Sequence, residues 1–306
     1  MTPRDQIDFA RARVLDGGMA TELEFLGADI SGPLWSAHIL EDAPEKIVAV
    51  HRAYLAAGAD TILTASYQVS RKAYREYGLA PESADHALIR AVALAVQARD
   101  ESPGRKILVA ASLGPYGAAL HDGSEYHGNY NCTYAELVQF HQERIAVLAE
   151  SSADILAFET LPSIEEACAV GEALASWPNL AGWLTFTCPD ETHVAHGERL
   201  RECAELAAAF PQTIAAGINC TAPHLLPSLI EELQAASNKP IVLYPNSGEG
   251  WDAEHRCWIQ VPGQSDPETF GEQAREWYAQ GAQLIGGCCR TRPAHIHQVA
   301  EQSTNR

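Results

Sequence analysis

Short apolar and β-branched runs alternate along the chain with longer segments in which apolar residues recur every three or four positions. The first kind reads as strands buried on both faces, the second as amphipathic helices. Eight strands are predicted: RVLDGG (13–18), DTILTAS (60–66), KILVAASLG (106–114), ADILAFET (153–160), LAGWLTFTC (180–188), TIAAGINC (213–220), PIVLYPN (240–246) and AQLIGGCC (282–289). A helix running from Pro44 to a stop at Gly58 follows the first strand, and others fit 83–100, 134–151, 164–176, 199–209, 222–236, 267–280 and 293–302. Eight strand–helix repeats predict an α/β chain, a single (β/α)₈ TIM-type barrel forming one domain over residues 1–306.

The polar residues sharpen this. Each predicted strand is apolar through its body and ends in reactive groups: Asp16, Ser66, Gly114-Pro115, Glu159-Thr160, Thr187-Cys188, Asn219-Cys220, Asn246 and Cys288-Cys289. In a closed barrel these ends share one rim, where barrel enzymes build their sites; an open doubly wound sheet would concentrate them at one switch point. Two long loops leave that rim, 115–131 after the third strand and 247–258 after the seventh, in the position of lids or substrate walls.

Composition narrows the function. An apolar fraction of 46% and the absence of an 18-residue uncharged stretch describe a soluble chain with no membrane partner. With 40 acidic against 21 basic residues the formal charge is -19, which excludes a nucleic-acid footprint. The N-terminus lacks the apolar core of a secretory signal, and eight cysteines are too few for a disulfide scaffold of this size, so the cytoplasm is expected. No dinucleotide, P-loop or nucleophile-elbow motif is present.

Adjacent Cys288 and Cys289 are poorly placed to bridge each other. Together with Cys220 they put three thiols on one rim, a set suited to Zn²⁺ with the fourth position left for water or substrate. Cys188 is the credible fourth ligand, and its participation would make the site closed and structural. A zinc of this kind can hold a substrate thiol deprotonated. Asp16 and Glu159 are the rim carboxylates suited to a substrate ammonium group, or else to a helix cap or structural ion pair. A vicinal-thiol redox protein and a structural zinc barrel that only binds a partner are the competing classes. His295 and His297, two apart in a predicted helix, face different ways and make a poor metal pair.

The segments LDGGMATELE (15–24), LWSA (34–37), TASYQ (64–68), GPYGA (114–118), DGSEYHGNY (122–130), ETLP (159–162), GINC (217–220), YPNSGE (244–249) and GGCCRT (286–291) together resemble the homocysteine S-methyltransferase family, in its S-methylmethionine- or S-adenosylmethionine-using branch. The resemblance runs almost end to end. It implies zinc on Cys220, Cys288 and Cys289, homocysteine thiolate as incoming ligand, and methyl transfer from a sulfonium donor to form methionine. It further implies Asp16 and Glu159 near the amino acid head group, with Gly17, Gly18, Ser66 and Asn219 around them. The cobalamin and folate domains of large methionine synthases are lacking, so no corrinoid is implied. A selenol or other thiol acceptor, or betaine as donor, is the alternative within the family. Trp35, Tyr116 and Tyr130 are candidates to face the sulfonium by cation–π contact or to serve as rim packing.

Overall fold

The computed structural model describes residues 9, 13–30, 36–252, 257–259, 261 and 265–304. Its barrel strands are β1 (Arg13–Val14), β2 (Thr61–Leu63), β3 (Leu108–Leu113), β4 (Ile155–Leu161), β5 (Gly182–Phe186), β6 (Thr213–Asn219), β7 (Ile241–Tyr244) and β10 (Leu284–Ile285). All pair in parallel, in the order β1-β10-β7-β6-β5-β4-β3-β2. A parallel bridge from Leu15 to Thr61 joins the two ends of that order, completing a (β/α)₈ barrel. β8 (Gly250–Asp252) and β9 (Cys257–Ile259) form a separate antiparallel pair within the loop after β7.

The outer helices follow the apolar periodicity. They are α3 (Pro44–Ala57), α5 (Pro81–Asp100), α6 (Tyr134–Leu148), α7 (Ile164–Ala175), α8 (Leu200–Ala209), α9 (Leu226–Ala236), α10 (Pro267–Ala279) and α11 (Pro293–Ser303). Their starts are chemically marked: Thr133 and Glu136 form a capping box on α6, and the Ser163 and Asp266 side chains accept amide hydrogens at the starts of α7 and α10. Three short helices escaped the pattern, α1 (Met19–Phe25), α2 (Ser36–Asp42) and α4 (Arg71–Glu76), because each occupies a stretch too short for a periodic signal.

Two apolar cores hold the structure. One lies between the strands and the helices; the other fills the barrel lumen with inward residues of successive strands, among them Leu15, Ala110, Ile155, Trp183, Val242 and Leu284. Small alanines opposite the large Trp183 let the lumen close as packed core, which confines any ligand to the rim. Among the described residues no helix is long and apolar enough to cross a membrane.

Candidate active site

The C-terminal strand ends meet around a cavity of about 130 Å³ that reaches from Gly17-Gly18 across to Cys288-Cys289. The regular strands stop short of the predicted ends: β1 finishes at Val14 and β10 at Ile285, so Asp16 and the cysteine pair sit on irregular backbone. Glycine makes this approach possible. A β-carbon on Gly18 would lie 2.5 Å from the Cys288 carbonyl oxygen, and one on Gly286 would lie 2.5 Å from that of Asp16. The two glycine pairs therefore let the β1 and β10 ends press together.

The sulfurs of Cys220, Cys288 and Cys289 all lie within 4.8 Å of one another, with Cys220 3.7 Å and Cys288 4.0 Å from Cys289. A tetrahedral zinc with Zn–S bonds of about 2.3 Å needs sulfurs about 3.8 Å apart, so the trio fits that ion. Hydrogen bonds from Cys220 and Cys288 hold the Cys289 thiol well below its ordinary value, with the Arg290 charge adding to the effect; the same contacts push Cys288 well above. Cys188 does not join the cluster: it is buried, and burial pushes its thiol up. The fourth-ligand reading of Cys188 has no geometric support, and the site offers three sulfurs. His295 is buried at the start of α11 while His297 is exposed, as their spacing requires.

Both carboxylates are buried, Glu159 in the cavity lining and Asp16 outside it, and among the described residues neither has a cationic partner. Asp16 Oδ2 accepts a hydrogen bond from the Leu63 amide at 2.9 Å, and its Oδ1 has no partner. The Ser112 hydroxyl donates to Glu159, whose Oε1 is likewise unpartnered. Burial raises both well above the carboxylate range, and for Glu159 the charge of Asp16 adds to the rise. Among the described residues neither acid caps a helix or pairs with a cation, and each keeps one acceptor oxygen without a partner.

The other predicted site residues take different positions. Gly17 and Gly18 line the cavity, but the Gly18 amide is already donated to Thr291 Oγ1 at 3.1 Å. Ser66 does not line it: its hydroxyl donates to the Ser112 carbonyl at 2.8 Å and lies 2.6 Å from Thr64 Oγ1, bracing the β2 and β3 ends. Asn219 borders the cavity with its amide committed. Its Oδ1 accepts from the Thr160 amide (2.7 Å) and the Thr185 hydroxyl (2.8 Å), and its Nδ2 donates to Thr160 Oγ1 (2.8 Å). These bonds hold Thr160 at φ 58°, a left-handed conformation costly for a β-branched residue, at a register shift in β4. Cys220 is held likewise, at φ 52°. Strain at both strand ends turns their side chains toward the cavity.

Sequence reasoning singled out the DGSEYHGNY segment without naming its working residues. There a turn at Ser124–Tyr126 puts Glu125 on the cavity wall and the Tyr126 hydroxyl 3.3 Å from Cys220 Sγ. Tyr67 and Tyr244 complete the aromatic lining. Tyr116 and Tyr130 do not contribute to that lining. Their rings pack together, centroids 5.4 Å apart, and the Tyr130 hydroxyl donates to buried Glu166, so they are rim packing. Trp35 lies outside the described residues.

A homocysteine S-methyltransferase family profile matches residues 13–303. The chain is 45% identical over 295 residues to homocysteine S-methyltransferase YbgG of Bacillus subtilis (strain 168), covering 94% of this chain and 93% of that protein. It is 41% identical over 309 residues to the selenocysteine Se-methyltransferase of Brassica oleracea var. italica, covering 96% and 89%. The crystal structure of the metallated form of the Escherichia coli homocysteine methyltransferase MmuM superposes with a TM-score of 0.85 at 38% identity, covering 95% of this chain and 96% of that one.

Proposed function

The chain belongs to the homocysteine S-methyltransferase family, and on that footing we propose a zinc-dependent transfer of methyl from a sulfonium donor to the thiol of L-homocysteine, forming methionine. The donor is S-methylmethionine or S-adenosylmethionine. One observation carries the reading: three sulfurs at zinc spacing line one cavity with the buried Glu159, whose neighbour Asp16 is buried too, and among the described residues neither carboxylate is paired with a cation. That the similar MmuM has a metallated form supports a metal-dependent reading. The whole chain, residues 1–306, acts as one homocysteine-binding barrel domain in the cytoplasm.

Cys220, Cys288 and Cys289 would hold the zinc. Bound there, the ion lowers the pKa of the substrate thiol, so that the sulfur is a nucleophile near neutral pH. Asp16 and Glu159 hold the ammonium group and orient the amino acid, converting an encounter into a positioned reaction. Ser66 and Asn219 keep the strand ends that carry these groups in place. The homocysteine sulfur attacks the methyl carbon in line; the S–CH₃ bond of the donor breaks, and its electron pair stays on the donor sulfur as a neutral thioether.

A selenol acceptor is the second reading, favoured by the identity to the Brassica selenocysteine Se-methyltransferase. The test is methionine formation by demetallated and zinc-restored enzyme, with S-methylmethionine and with S-adenosylmethionine, and Se-methylselenocysteine formation in parallel. Activity confined to the restored enzyme is expected. Equal rates with and without metal would overturn the role of zinc, and thiol-disulfide cycling without methyl transfer would favour the redox class.

A further inference from the structure

Glu125 is the second buried carboxylate that lines the cavity, beside Glu159, and the transfer chemistry derived above does not use it. It is 9% exposed, lines the cavity, and belongs to the loop after β3, whereas Glu159 comes from β4. Its own backbone amide donates to the carboxylate, which fixes the side chain, while Oε2 is buried with no partner. Among the described residues no lysine or arginine is ion-paired with it. Its neighbours include the Tyr67 ring and the Cys220 sulfur, and the next residue, Tyr126, places its hydroxyl 3.3 Å from that sulfur. Gly117 admits this turn: a β-carbon there would meet the Glu125 amide nitrogen.

We propose that Glu125 is the anion that selects a cationic methyl donor, receiving the sulfonium charge on the loop side of the cavity while Asp16 and Glu159 hold the acceptor. This rests on the reading of the site as a homocysteine methyltransferase. The charge argument fixes what the residue does. A carboxylate near a sulfonium attracts the donor before reaction, and the attraction fades as the methyl group leaves and the donor sulfur becomes neutral. The contact therefore favours donor binding over the transition state, and it favours release of the neutral thioether. Glu125 is a specificity residue for the donor, expressed in KM and not in kcat.

Glu125→Gln keeps the size and removes the charge. In the zinc-loaded protein it should raise the KM for S-methylmethionine about 10- to 100-fold, as expected for loss of a charge-assisted contact. Its kcat should be equal to or slightly above wild type, with homocysteine affinity and zinc content unchanged. Glu125→Asp, which retains the charge, should recover most of the donor affinity. A competition assay reads the charge directly: wild type should prefer tetramethylammonium over its neutral isostere tert-butanol as inhibitor against the donor, and Glu125→Gln should lose that preference. If wild type forms no methionine from S-methylmethionine or S-adenosylmethionine, the reading of the site fails before Glu125 is at issue. If wild type turns over but shows no preference for the cation, or if Glu125→Gln matches its donor KM, the assignment of Glu125 is wrong. Equal loss of homocysteine and donor affinity would also overturn it, by making Glu125 a prop for the loop.

Discussion

Glu159→Gln should make the free protein more stable and the enzyme inactive. Glu159 and Asp16 are buried, repel each other, and leave Oε1 and Oδ1 unpartnered. Folding without ligand therefore carries the desolvation of two acids, and a glutamine at 159 removes one of them and offers an N–H to its surroundings. Leaving a buried polar group unsatisfied costs about 1–3 kcal/mol, and more when charged, so the variant should gain at least about 1 kcal/mol. For a chain of this size that is a rise in melting temperature of about 2 °C or more. The pH dependence has a definite sign. A carboxyl whose folded pKa lies above its unfolded value binds more protons when folded. The free wild type therefore loses stability as pH climbs from the ordinary carboxylate value near ~4 toward the raised folded values, and the variant should lose less over that window. Homocysteine reverses the order: at about 100 times its Kd it should stabilise wild type by about 2.7 kcal/mol and leave the variant nearly unmoved. Thermal melts of the zinc-loaded proteins between pH 5 and 8, with and without homocysteine, measure all of this. A variant less stable than wild type without ligand, yet equally stabilised by homocysteine, would show that Glu159 is a structural acid and not a substrate anchor.

Asn219→Ala removes the two hydrogen bonds that hold Thr160 in its left-handed conformation and a third to Thr185, and should lower stability by about 1–3 kcal/mol in urea melts while weakening homocysteine binding. Unchanged binding would show that the strained β4 end does not shape the site. Glu166 accepts hydrogen bonds from the Tyr116 amide, His141 Nε2 and the Tyr130 hydroxyl, and His141 in turn meets buried Arg144, whose side chain donates to the Gly114 carbonyl. Glu166→Ala leaves that cation uncompensated and should cost about 3–5 kcal/mol, with faster proteolysis in the loop 115–131; a loop no more sensitive than in wild type would mean the network does not anchor it. Cys220→Ser should lose bound metal and transfer activity together, as judged by metal analysis beside the assay; retained zinc would place Cys220 outside the shell.

The barrel was legible because its strands are buried on both faces and read as unbroken apolar runs, while its outer helices are long enough for their periodicity to show. The thiols were legible because Cys220 and Cys288-Cys289 end two such runs. What sequence could not give was the use of each polar atom. Ser66 and Asn219 stand at strand ends in the sequence as Glu159 does, but the structure commits their side chains to Ser112, Thr160 and Thr185. Tyr116 and Tyr130 have the chemistry for a sulfonium, yet the Tyr130 ring is turned by a hydrogen bond to Glu166, 36 residues farther along, and Tyr116 packs against that ring. Glu125 reaches the cavity and Tyr126 the Cys220 sulfur only because the loop folds back in a short turn, and such turns leave no periodic trace.

Zinc-edge X-ray absorption of the loaded, reduced protein, before and after homocysteine is added, measures the coordination step directly. About one zinc per chain should be found with three sulfurs and one lighter ligand, changing to four sulfurs with release of a proton when homocysteine binds. Four protein sulfurs before substrate is added, or a sulfur count that homocysteine leaves unchanged, would contradict thiol activation by the Cys220–Cys288–Cys289 site.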